Sequence, residues 1–389
     1  MLSNNDGCAI ARTKEAKALG IKMGVPFFKI KNLCKNKGVA VFSTNFSLYT
    51  NISDRVMGVL KKYCPEVEVY SVDEAFIDLS GIKDPLEFGR RLKAIIMQEI
   101  GVPVSIGIAP TKVLSKVANK VAKVSNKADG VVVLDRVDYI NIALARTKIE
   151  DLWGVGRKNS EKMRALGIKR AIDLKDFKNE SLIRKNFSIL GLRMKKELEG
   201  ITCFPFNQPI SKKKEIMCSR TFGDSVVNKE ILTRAICNYI TNAAEKLRAQ
   251  KSKCLKVSIF ARTNSFKNIP QYYMYGERKL QNPTSNTLRL INIAHELIDQ
   301  YYKEGFEYIK AGARISSFMD QQEYQIDLLE QADSDAEEKL MNTIDSINFR
   351  EGGGSVKSLA CGVDDKAWKM NRRFKSPRYT TSWNELFVF

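Results

Sequence analysis

The hexamer Ser71-Val-Asp-Glu-Ala-Phe76 places two adjacent carboxylates, Asp73 and Glu74, inside the apolar, extended segment 67–79. Burying a carboxylate is costly unless it is paired with a cation or bound to a metal. In a straight strand the two side chains would point to opposite faces. Both can therefore serve one metal site only if the chain bends there, as at the mouth of a hairpin. Oxygen ligands without His or Cys suit Mg²⁺. The alternative is an acidic pair where a strand ends in a turn.

Helices and strands alternate on both sides of this hexamer. Apolar residues at three- and four-residue spacing predict helices, and β-branched runs predict strands. The predicted helices cover 48–63, 84–101 and 111–123, and the predicted strands cover 102–109 and 130–134. Asp84-Pro85 followed by Glu87 is typical of a helix start. This order predicts an α/β or α+β layer domain of about 150 residues. The first 45 residues are expected to be irregular and basic.

A row of lysines follows the hexamer, on the predicted helix 111–123. The row consists of Lys112, Lys116, Lys120 and Lys123, and the last three share one face. Phosphoryl transfer needs a metal that bridges phosphates and fixed cations that hold the triphosphate. Carboxylates followed by such a row fit that chemistry. The alternative is an ordinary solvated helix face.

The whole chain of 389 residues carries 64 Lys and Arg against 44 Asp and Glu, a net charge of +20. This charge favours an acidic partner, either nucleic acid or an anionic surface. No run of 18 apolar residues occurs and the N-terminus lacks the pattern of a secretory signal, so we expect no membrane partner and a cytoplasmic location. The single histidine, His295, excludes zinc sites with two histidines. It lies on an apolar helical face, so we expect a structural role. The eight cysteines include no CxxC pair and are expected to be reduced.

The segment 146–214 is the most basic part of the chain, with 18 basic and 8 acidic residues. Within it, the stretch Leu152-Trp153-Gly154-Val155-Gly156 precedes an amphipathic segment and is typical of a helix-hairpin-helix turn. Glycines let the backbone approach a DNA phosphate, and amides at a helix start can bind it without regard to sequence. This pattern favours DNA binding over a plain turn.

The segment 215–319 has the order βαββαβ, which suits a ferredoxin-like sheet with helices on one face. Residues 320–345 then invert the charge, with nine acidic residues and one lysine. We expect this acidic segment to be flexible or bound separately, because it cannot share a DNA surface with the rest. Residues 366–378 are basic again.

Six motifs, taken together and in order, give the chain a resemblance to the Y-family translesion DNA polymerases of the UmuC subfamily. The motifs are Leu2-Ser-Asn-Asn-Asp-Gly-Cys8, Glu15-Ala-Lys-Ala-Leu-Gly-Ile-Lys-Met-Gly24, Asn45-Phe-Ser-Leu-Tyr49, Ser71-Val-Asp-Glu-Ala-Phe76, Ser105-Ile-Gly-Ile108 and Ser376-Pro-Arg-Tyr-Thr-Thr-Ser-Trp383. The resemblance covers nearly the whole chain. It implies an α+β, multidomain, right-hand polymerase with a ferredoxin-like palm. The implied domains are fingers (1–45, incomplete at the N-terminus), palm (46–148), helix-hairpin-helix thumb (149–210), βαββαβ little finger (213–320) and a UmuC-type C-terminal tail (321–389).

The resemblance also implies roles for individual residues. Asp73 and Glu74 fall on the family's ligands of the catalytic Mg²⁺, and Lys17 and Lys123 fall on its triphosphate-binding lysines. The helix-hairpin-helix residues Gly154, Val155, Gly156 and Lys158 would bind DNA. The tail stretch Gln325-Ile-Asp-Leu-Leu329 is similar to a sliding-clamp motif, with Gln325, Leu328 and Leu329 as the anchors.

The implied activity is error-prone, template-directed DNA synthesis past lesions in the SOS response to DNA damage. The implied partners are primer-template DNA, a dNTP and the sliding clamp, with a UmuD-like dimer and a RecA filament as further candidates. The implied location is the bacterial cytoplasm, in association with the nucleoid.

One departure from the family pattern concerns the start of the chain. Family members begin with a strand that carries a third metal-ligand Asp and an aromatic pair, and about thirty residues of that kind would precede Met1. Neither Asp6 nor Asp78 is expected to replace the ligand. Either the true start lies upstream, or the chain is a truncated and poorly active copy. Two alternatives therefore stay open: a catalytically defective DNA-binding damage-response protein, and a metal nuclease that uses the same carboxylates.

Overall fold

The computed structural model describes residues 1–207, 211–320, 332–363 and 368–386. The chain divides into two compact units, each with hydrophobic cores of its own. One unit contains Met1–Thr44 and Ile210–Ser376, and the other contains Asn45–Pro209 and Pro377–Phe389. No helix within the described ranges is long and apolar enough to cross a membrane.

The N-terminal segment of the first unit contains two helices, α1 (Lys14–Ala18) and α2 (Phe27–Asn36). The prediction that the first 45 residues are irregular is therefore wrong. Ile30 and Cys34 of α2 pack in a small core with Ile21. Its apolar residues Phe27, Ile30, Leu33 and Cys34 have the three- and four-residue spacing of a helix, although the segment is only ten residues long.

The second unit begins with a helix and a short hairpin. The helix is α3 (Phe46–Tyr63), and the hairpin consists of β1 (Glu66–Val69) and β2 (Ala75–Asp78). The two strands are antiparallel, and residues 70–74 connect them. The bend that a shared carboxylate site requires is therefore present in the segment 67–79.

Helices and short strands alternate in the following part of this unit. They are α4 (Pro85–Ile100), β3 (Ile106–Ile108), α5 (Lys112–Val124), β4 (Val131–Val133) and α6 (Val137–Arg146). Asp84 caps α4 by accepting a hydrogen bond from the backbone N–H of Glu87 at 3.0 Å, and Gly101 ends the helix with φ = 76°. Strand β3 lies so close to α5 that a Cβ on Gly107 would be 2.0 Å from the backbone nitrogen of Asn119. This close approach requires glycine.

The described strands of this part form two separate pairs. Strands β1 and β2 are antiparallel, whereas β3 and β4 are parallel. Within the described ranges, no strand of one pair is hydrogen-bonded to a strand of the other pair. The two pairs therefore do not form one sheet.

The most basic segment folds into helices. They are α7 (Arg157–Ala165), α8 (Ala171–Lys175) and α9 (Glu180–Leu198). Met163, Leu174 and Ile183 from these helices are buried in one core with Leu114 of α5. The helices therefore share a hydrophobic core with the helix that carries the lysine row.

A four-stranded antiparallel sheet with two helices forms most of the rest of the first unit. Its elements are β5 (Glu215–Val226), α10 (Lys229–Ala249), β6 (Ser252–Thr263), β7 (Tyr273–Thr284), α11 (Thr287–Tyr301) and β8 (Tyr308–Asp320). The βαββαβ order is confirmed, and the strand order across the sheet is β5-β8-β6-β7. Alternate residues Val257, Ile259 and Ala261 of β6 are fully buried in the core that includes α10 and α11.

The acidic segment is docked where the structure describes it. Helix α12 (Asp335–Glu351) begins four residues after the gap at 321–331. Arg248 donates two hydrogen bonds to the Asp345 carboxylate, from Nε at 2.6 Å and from Nη2 at 2.7 Å. The Lys253 Nζ atom lies 2.6 Å from Glu338 Oε1. Arg289 is also paired, with Asp333 at 3.0 Å. The expectation of a flexible or separately bound segment is therefore wrong for residues 332–345, because basic residues of the sheet domain hold it.

The eight cysteine thiols are all free, as expected. Burial raises the pKa of Cys237 and of Cys254 to about 12. The His295 Nε2 atom lies 3.6 Å from the Cys237 Sγ atom between α10 and α11. These contacts agree with a structural role for His295.

Candidate active site

The two adjacent carboxylates lie in the turn that joins β1 to β2. The backbone N–H groups of Tyr70 and Ser71 both donate to the Glu74 carbonyl at 3.0 Å, which closes the turn. The Ser71 hydroxyl donates to Asp73 Oδ1 at 2.6 Å, and the Asp73 N–H donates back to the Ser71 hydroxyl at 3.3 Å. The hydroxyl of Ser53 on α3 donates to the Val72 carbonyl. The turn is thus held by its own backbone and by α3, while the Asp73 side chain stays exposed.

Two lysines of α5 pair with glutamates of the hairpin. Lys116 Nζ lies 2.5 Å from Glu74 Oε1, and Lys112 Nζ lies 2.7 and 2.8 Å from the two oxygens of Glu68. The side chains of these pairs are between 13% and 34% exposed, so they are screened less than surface pairs. The lysine row therefore balances the negative charge of the hairpin.

The remaining two lysines of the row differ from each other. Lys120 Nζ lies 2.6 Å from Asp151 Oδ2, whereas no acidic partner of Lys123 is found among the described residues. Lys123 is exposed and lies about 10 Å beyond Lys116 along the helix axis, at 1.5 Å per residue. Of the four lysines, Lys123 is the one whose charge is not already matched by a described carboxylate.

An aromatic cluster supports the carboxylate turn from both sides. Trp153 packs edge-to-face against Tyr70 and Phe76, with ring centroids 5.5 and 5.7 Å apart. Phe204 also packs edge-to-face against Trp153, with ring centroids 6.0 Å apart. The ammonium of Lys112 lies 5.3 Å from the centre of the Phe76 ring. Because Tyr70 and Phe76 flank the turn, Trp153 connects the metal-ligand candidates to the helix-hairpin-helix segment.

A buried glutamate fixes the position of Phe204. Glu197 is fully buried and accepts hydrogen bonds from the backbone N–H groups of Cys203 at 2.6 Å and Phe204 at 2.9 Å. It also accepts from the N–H of Val113 at 3.2 Å, in the first turn of α5. An acidic group at this helix start is favourable because it satisfies unpaired amides. Glu197 thus joins the end of α9 to the start of α5.

The donor set of the turn fits a hard divalent cation. Mg²⁺ usually keeps several waters and binds one or two carboxylates together with substrate phosphates. Asp73 and Glu74 supply two such carboxylates, and no group of three or more His, Cys, Asp or Glu side chains placed to hold a metal occurs in the part of the chain that the structure describes. Asp78 is engaged elsewhere, because its Oδ1 accepts from the amide and the hydroxyl of Ser80, which lowers the pKa of Asp78. Asp6 lies in the other unit, where it binds Ser43 and the backbone of Arg373.

The helix-hairpin-helix turn leads directly into α7. Gly154 has φ = 87°, and a Cβ there would lie 2.9 Å from the Met194 side chain, so this position requires glycine. Val155 is buried and anchors the turn. Gly156 is the N-cap of α7, and it is exposed together with Arg157 and Lys158. Free amides and two cations at an exposed helix start suit a phosphate.

Two groups of predicted residues belong to other parts of the chain. Lys17 is exposed on α1, in the other unit. The clamp-motif residues Gln325, Leu328 and Leu329 lie outside the described residues.

The sequence did not reveal the roles of three residues at the site. Ser71 hydrogen-bonds Asp73, Trp153 packs against Tyr70 and Phe76, and Glu197 holds the backbone of Phe204. Glu197 lies between Lys196 and Leu198 in a charged stretch, so its neighbours do not mark it as buried. Its partners cannot be named from the sequence because Val113 and Glu197 are 84 residues apart.

Comparisons with known proteins identify the family of the chain. Residues 1–120 match the model of the impB/mucB/samB family, and residues 213–328 match the C-terminal domain of that family. Residues 338–388 match a domain of unknown function. The chain is 40% identical to the protein UmuC of Salmonella typhimurium over 99% of this chain and 92% of that protein. It is 34% identical to the protein MucB of Escherichia coli over the same shares of the two chains.

More distant relatives share the fold. DNA polymerase IV of Clostridium acetobutylicum is 26% identical over 90% of this chain and 86% of that protein. A solved chimera of the Y-family DNA polymerases Dbh and Dpo4 superposes with a TM-score of 0.56 at 19% identity, over 81% of this chain and 91% of that chain. The chain belongs to the Y-family translesion DNA polymerases of the UmuC type. Polymerases of this family depend on a divalent metal.

Proposed function

We propose that this chain adds deoxynucleotides to a primer at the turn that carries Asp73 and Glu74. The observation that carries the proposal is the hairpin turn itself, which holds two adjacent carboxylates beside a row of lysines. In the proposed reaction the primer 3′-hydroxyl oxygen forms a bond to the α-phosphorus of a dNTP. The bond from that phosphorus to the β-phosphate oxygen breaks, pyrophosphate leaves, and the hydroxyl proton is released to solvent.

Asp73 and Glu74 would hold Mg²⁺, which when bound neutralises phosphate charge and lowers the cost of ionising the hydroxyl. Asp73 is the freer of the two ligands, because its contacts lie within the turn. Glu74 must exchange its contact with Lys116 for the metal. Lys116 would then be released close to the incoming phosphates, where a cation is favourable.

The triphosphate would be held by Lys123 and Lys17. Support for Lys123 comes from its position at the exposed end of the lysine row, with no acidic partner among the described residues. Lys17 is supported by the resemblance and by its exposure on α1. DNA would be bound at the helix start of Gly154, Val155, Gly156 and Lys158, through phosphates and without sequence preference.

The domain assignment is part of the proposal. It places the fingers at 1–45, the palm at 46–148, the thumb at 149–210 and the little finger at 213–320, with a tail at 321–389. The sliding clamp, a UmuD-like dimer and a RecA filament are proposed partners, and the bacterial nucleoid is the proposed location. The net charge of +20 supports a nucleic-acid environment.

Primer extension tests the proposal directly. The purified chain is given a labelled primer-template, four dNTPs and Mg²⁺, with EDTA as the control. Growth of the primer that EDTA abolishes is the expected result. No growth at any protein concentration, together with intact DNA binding, would favour the catalytically defective DNA-binding protein. Shortening of the primer would favour the metal nuclease.

A further inference from the structure

The segment Trp368–Phe374 lies within the match to a domain of unknown function, and its contacts suggest what it does. The segment is close in space to the N-terminal stretch of the chain and to the end of β5, all within one unit. We call residues 368–374 the strap. Its contacts with these two regions are hydrogen bonds, close backbone packing and an aromatic pair.

Asn5 bonds to the strap and to β5 at once. Its side-chain amide donates to the carbonyl of Thr221 at 3.0 Å and to that of Phe222 at 2.9 Å. Its side-chain oxygen accepts from the backbone N–H of Asn371 at 2.9 Å. Asn5 has φ = 57°, a left-handed conformation that Asn tolerates better than most residues. One side chain therefore uses three of its hydrogen-bonding positions to join three segments.

Asp6 and Ser43 hold the next residues of the strap. Asp6 Oδ2 accepts from the backbone N–H of Arg373 at 2.7 Å, and Asp6 Oδ1 accepts from the Ser43 hydroxyl at 2.6 Å. The Ser43 hydroxyl in turn accepts from the Phe374 N–H at 2.9 Å, and the Phe374 carbonyl accepts from the Ser43 N–H at 2.9 Å. Ser43 is fully buried, so the part of the network around its hydroxyl is shielded from water, whereas the Asp6–Arg373 bond lies at the surface.

Packing on both sides of the strap is tight. A Cβ on Gly223 of β5 would lie 2.7 Å from the Lys369 carbonyl oxygen and 2.8 Å from the Asn371 side chain. The Phe374 ring packs edge-to-face on Phe27 of α2, with centroids 5.6 Å apart. The strap thus touches β5 through its first half and α2 through its last residue.

We propose that the strap fastens the N-terminal segment 1–44 to the sheet domain, so that the two parts move as one body. This function is new for the matched domain and does not depend on the proposed reaction. The strap's backbone is held by the side chains of Asn5, Asp6 and Ser43, while its own rings Trp368 and Phe374 pack on Tyr239 and Phe27.

Hydrogen–deuterium exchange of the full chain tests the proposal. Two variants loosen the strap from opposite sides. Asn5→Gly removes three hydrogen bonds and keeps the left-handed backbone, and Gly223→Ala puts a methyl group into the strap's path. Asn4→Gly is the control for the first, because Asn4 is exposed. Gly353→Ala is the control for the second, because a Cβ there would meet no atom within 4 Å.

Both loosening variants should speed exchange in peptides that cover 368–376 by at least about tenfold, since each lost hydrogen bond raises the local opening constant severalfold. Peptides covering 1–10 and 215–226 should accelerate as well, while β6 and both controls keep the parent rates. Exchange of 368–376 in the parent at the rate of an unstructured peptide would overturn the proposal. So would acceleration of 368–376 alone, because the strap would then fasten nothing. If Asn5→Gly proves unstable, Gly223→Ala by itself decides between these outcomes.

Discussion

The four-stranded sheet domain and the carboxylate hairpin hold themselves together in different ways. Strands β5 to β8 are 12 or 13 residues long, and Val257, Leu247 and Leu290 in their core are fully buried. Strands β1 and β2 are four residues long, and Val69 is 49% exposed. The hairpin packs Val67, Ala75 and Ile77 against a smaller core of α3 and α4, and it is also held by ion pairs from α5 and by the rings around Trp153.

The sheet domain mainly provides stability, whereas the hairpin mainly positions charged groups. Apolar burial is worth about 25 cal/mol per Å² and supplies most of the stability of the sheet domain. A partly exposed ion pair contributes little to stability, but it sets where a charge lies. The hairpin therefore offers charges in fixed positions at an exposed edge, where a metal and phosphates can reach them.

The largest expected effect comes from breaking one of two matched ion pairs. Glu74→Gln and Glu68→Gln each remove the partner of one α5 lysine, Lys116 and Lys112 respectively. Only Glu74 is proposed to bind metal. Single-turnover primer extension should therefore fall about a thousandfold or more in Glu74→Gln, equivalent to about 4 kcal/mol of transition-state stabilisation.

In Glu68→Gln the same rate should stay within about tenfold of the parent, because only positioning is affected. Equal losses in the two variants would mean that the hairpin needs both ion pairs and that Glu74 has no special role.

The next prediction compares the two regions by the unfolding free energy that a substitution in each one removes. Leu247→Ala empties a fully buried position of the sheet domain and should lower its free energy of unfolding by about 2 to 5 kcal/mol. Val69→Ala in the half-exposed hairpin should cost less than about 1 kcal/mol. Urea unfolding followed by circular dichroism measures both. Similar losses would show that the hairpin is as much a core element as the sheet.

A smaller effect is expected from the aromatic support. Trp153→Leu removes the contacts with Tyr70 and Phe76 and should let the turn shift, so that the rate of incorporation falls roughly ten- to hundredfold and more Mg²⁺ is needed for half-maximal rate. Trp383→Leu is the matched control, because Trp383 is 89% exposed. Mn²⁺ binding followed by electron paramagnetic resonance should weaken in the first variant only. A lower melting temperature with unchanged metal dependence would leave Trp153 with a purely structural role.

The smallest effect concerns the helix-hairpin-helix turn. Lys158→Ala should weaken binding of primer-template DNA by a few fold at any sequence and reduce the slope of log K against log salt by about 1. Lys158→Arg keeps the charge and should keep the slope. Fluorescence anisotropy at several salt concentrations measures this. A sequence-dependent loss would contradict binding through phosphates alone.

Elements with a regular period could be predicted from the sequence, and contacts between distant segments could not. The capping residues Asp84 and Gly101 mark both ends of α4, and the order βαββαβ follows from alternating apolar runs. A metal site shared by Asp73 and Glu74 required a bend in the chain, because a straight strand would point their side chains to opposite faces.

Other features depend on pairs that lie far apart in the sequence. Lys116 and Glu74 are separated by 42 positions, and Asn371 and Asn5 by 366. Neither pair leaves a periodic signal. The docked acidic helix α12 was missed for the same reason, since the charge of a segment says nothing about which basic residues it meets. Helix α2 is different, because Phe27, Ile30, Leu33 and Cys34 do carry a helical period that the expectation of an irregular segment overlooked.

The central claim is that Asp73 belongs to the site of nucleotide transfer, and one variant tests it most directly. Asp73→Ala is compared with the parent in single-nucleotide incorporation at saturating Mg²⁺ and dNTP, with DNA affinity measured on the same samples. We expect incorporation to be abolished while the affinity for primer-template stays nearly unchanged, because the exposed Asp73 side chain accepts its hydrogen bonds only within its own turn. Equal incorporation by the variant and the parent would contradict the account.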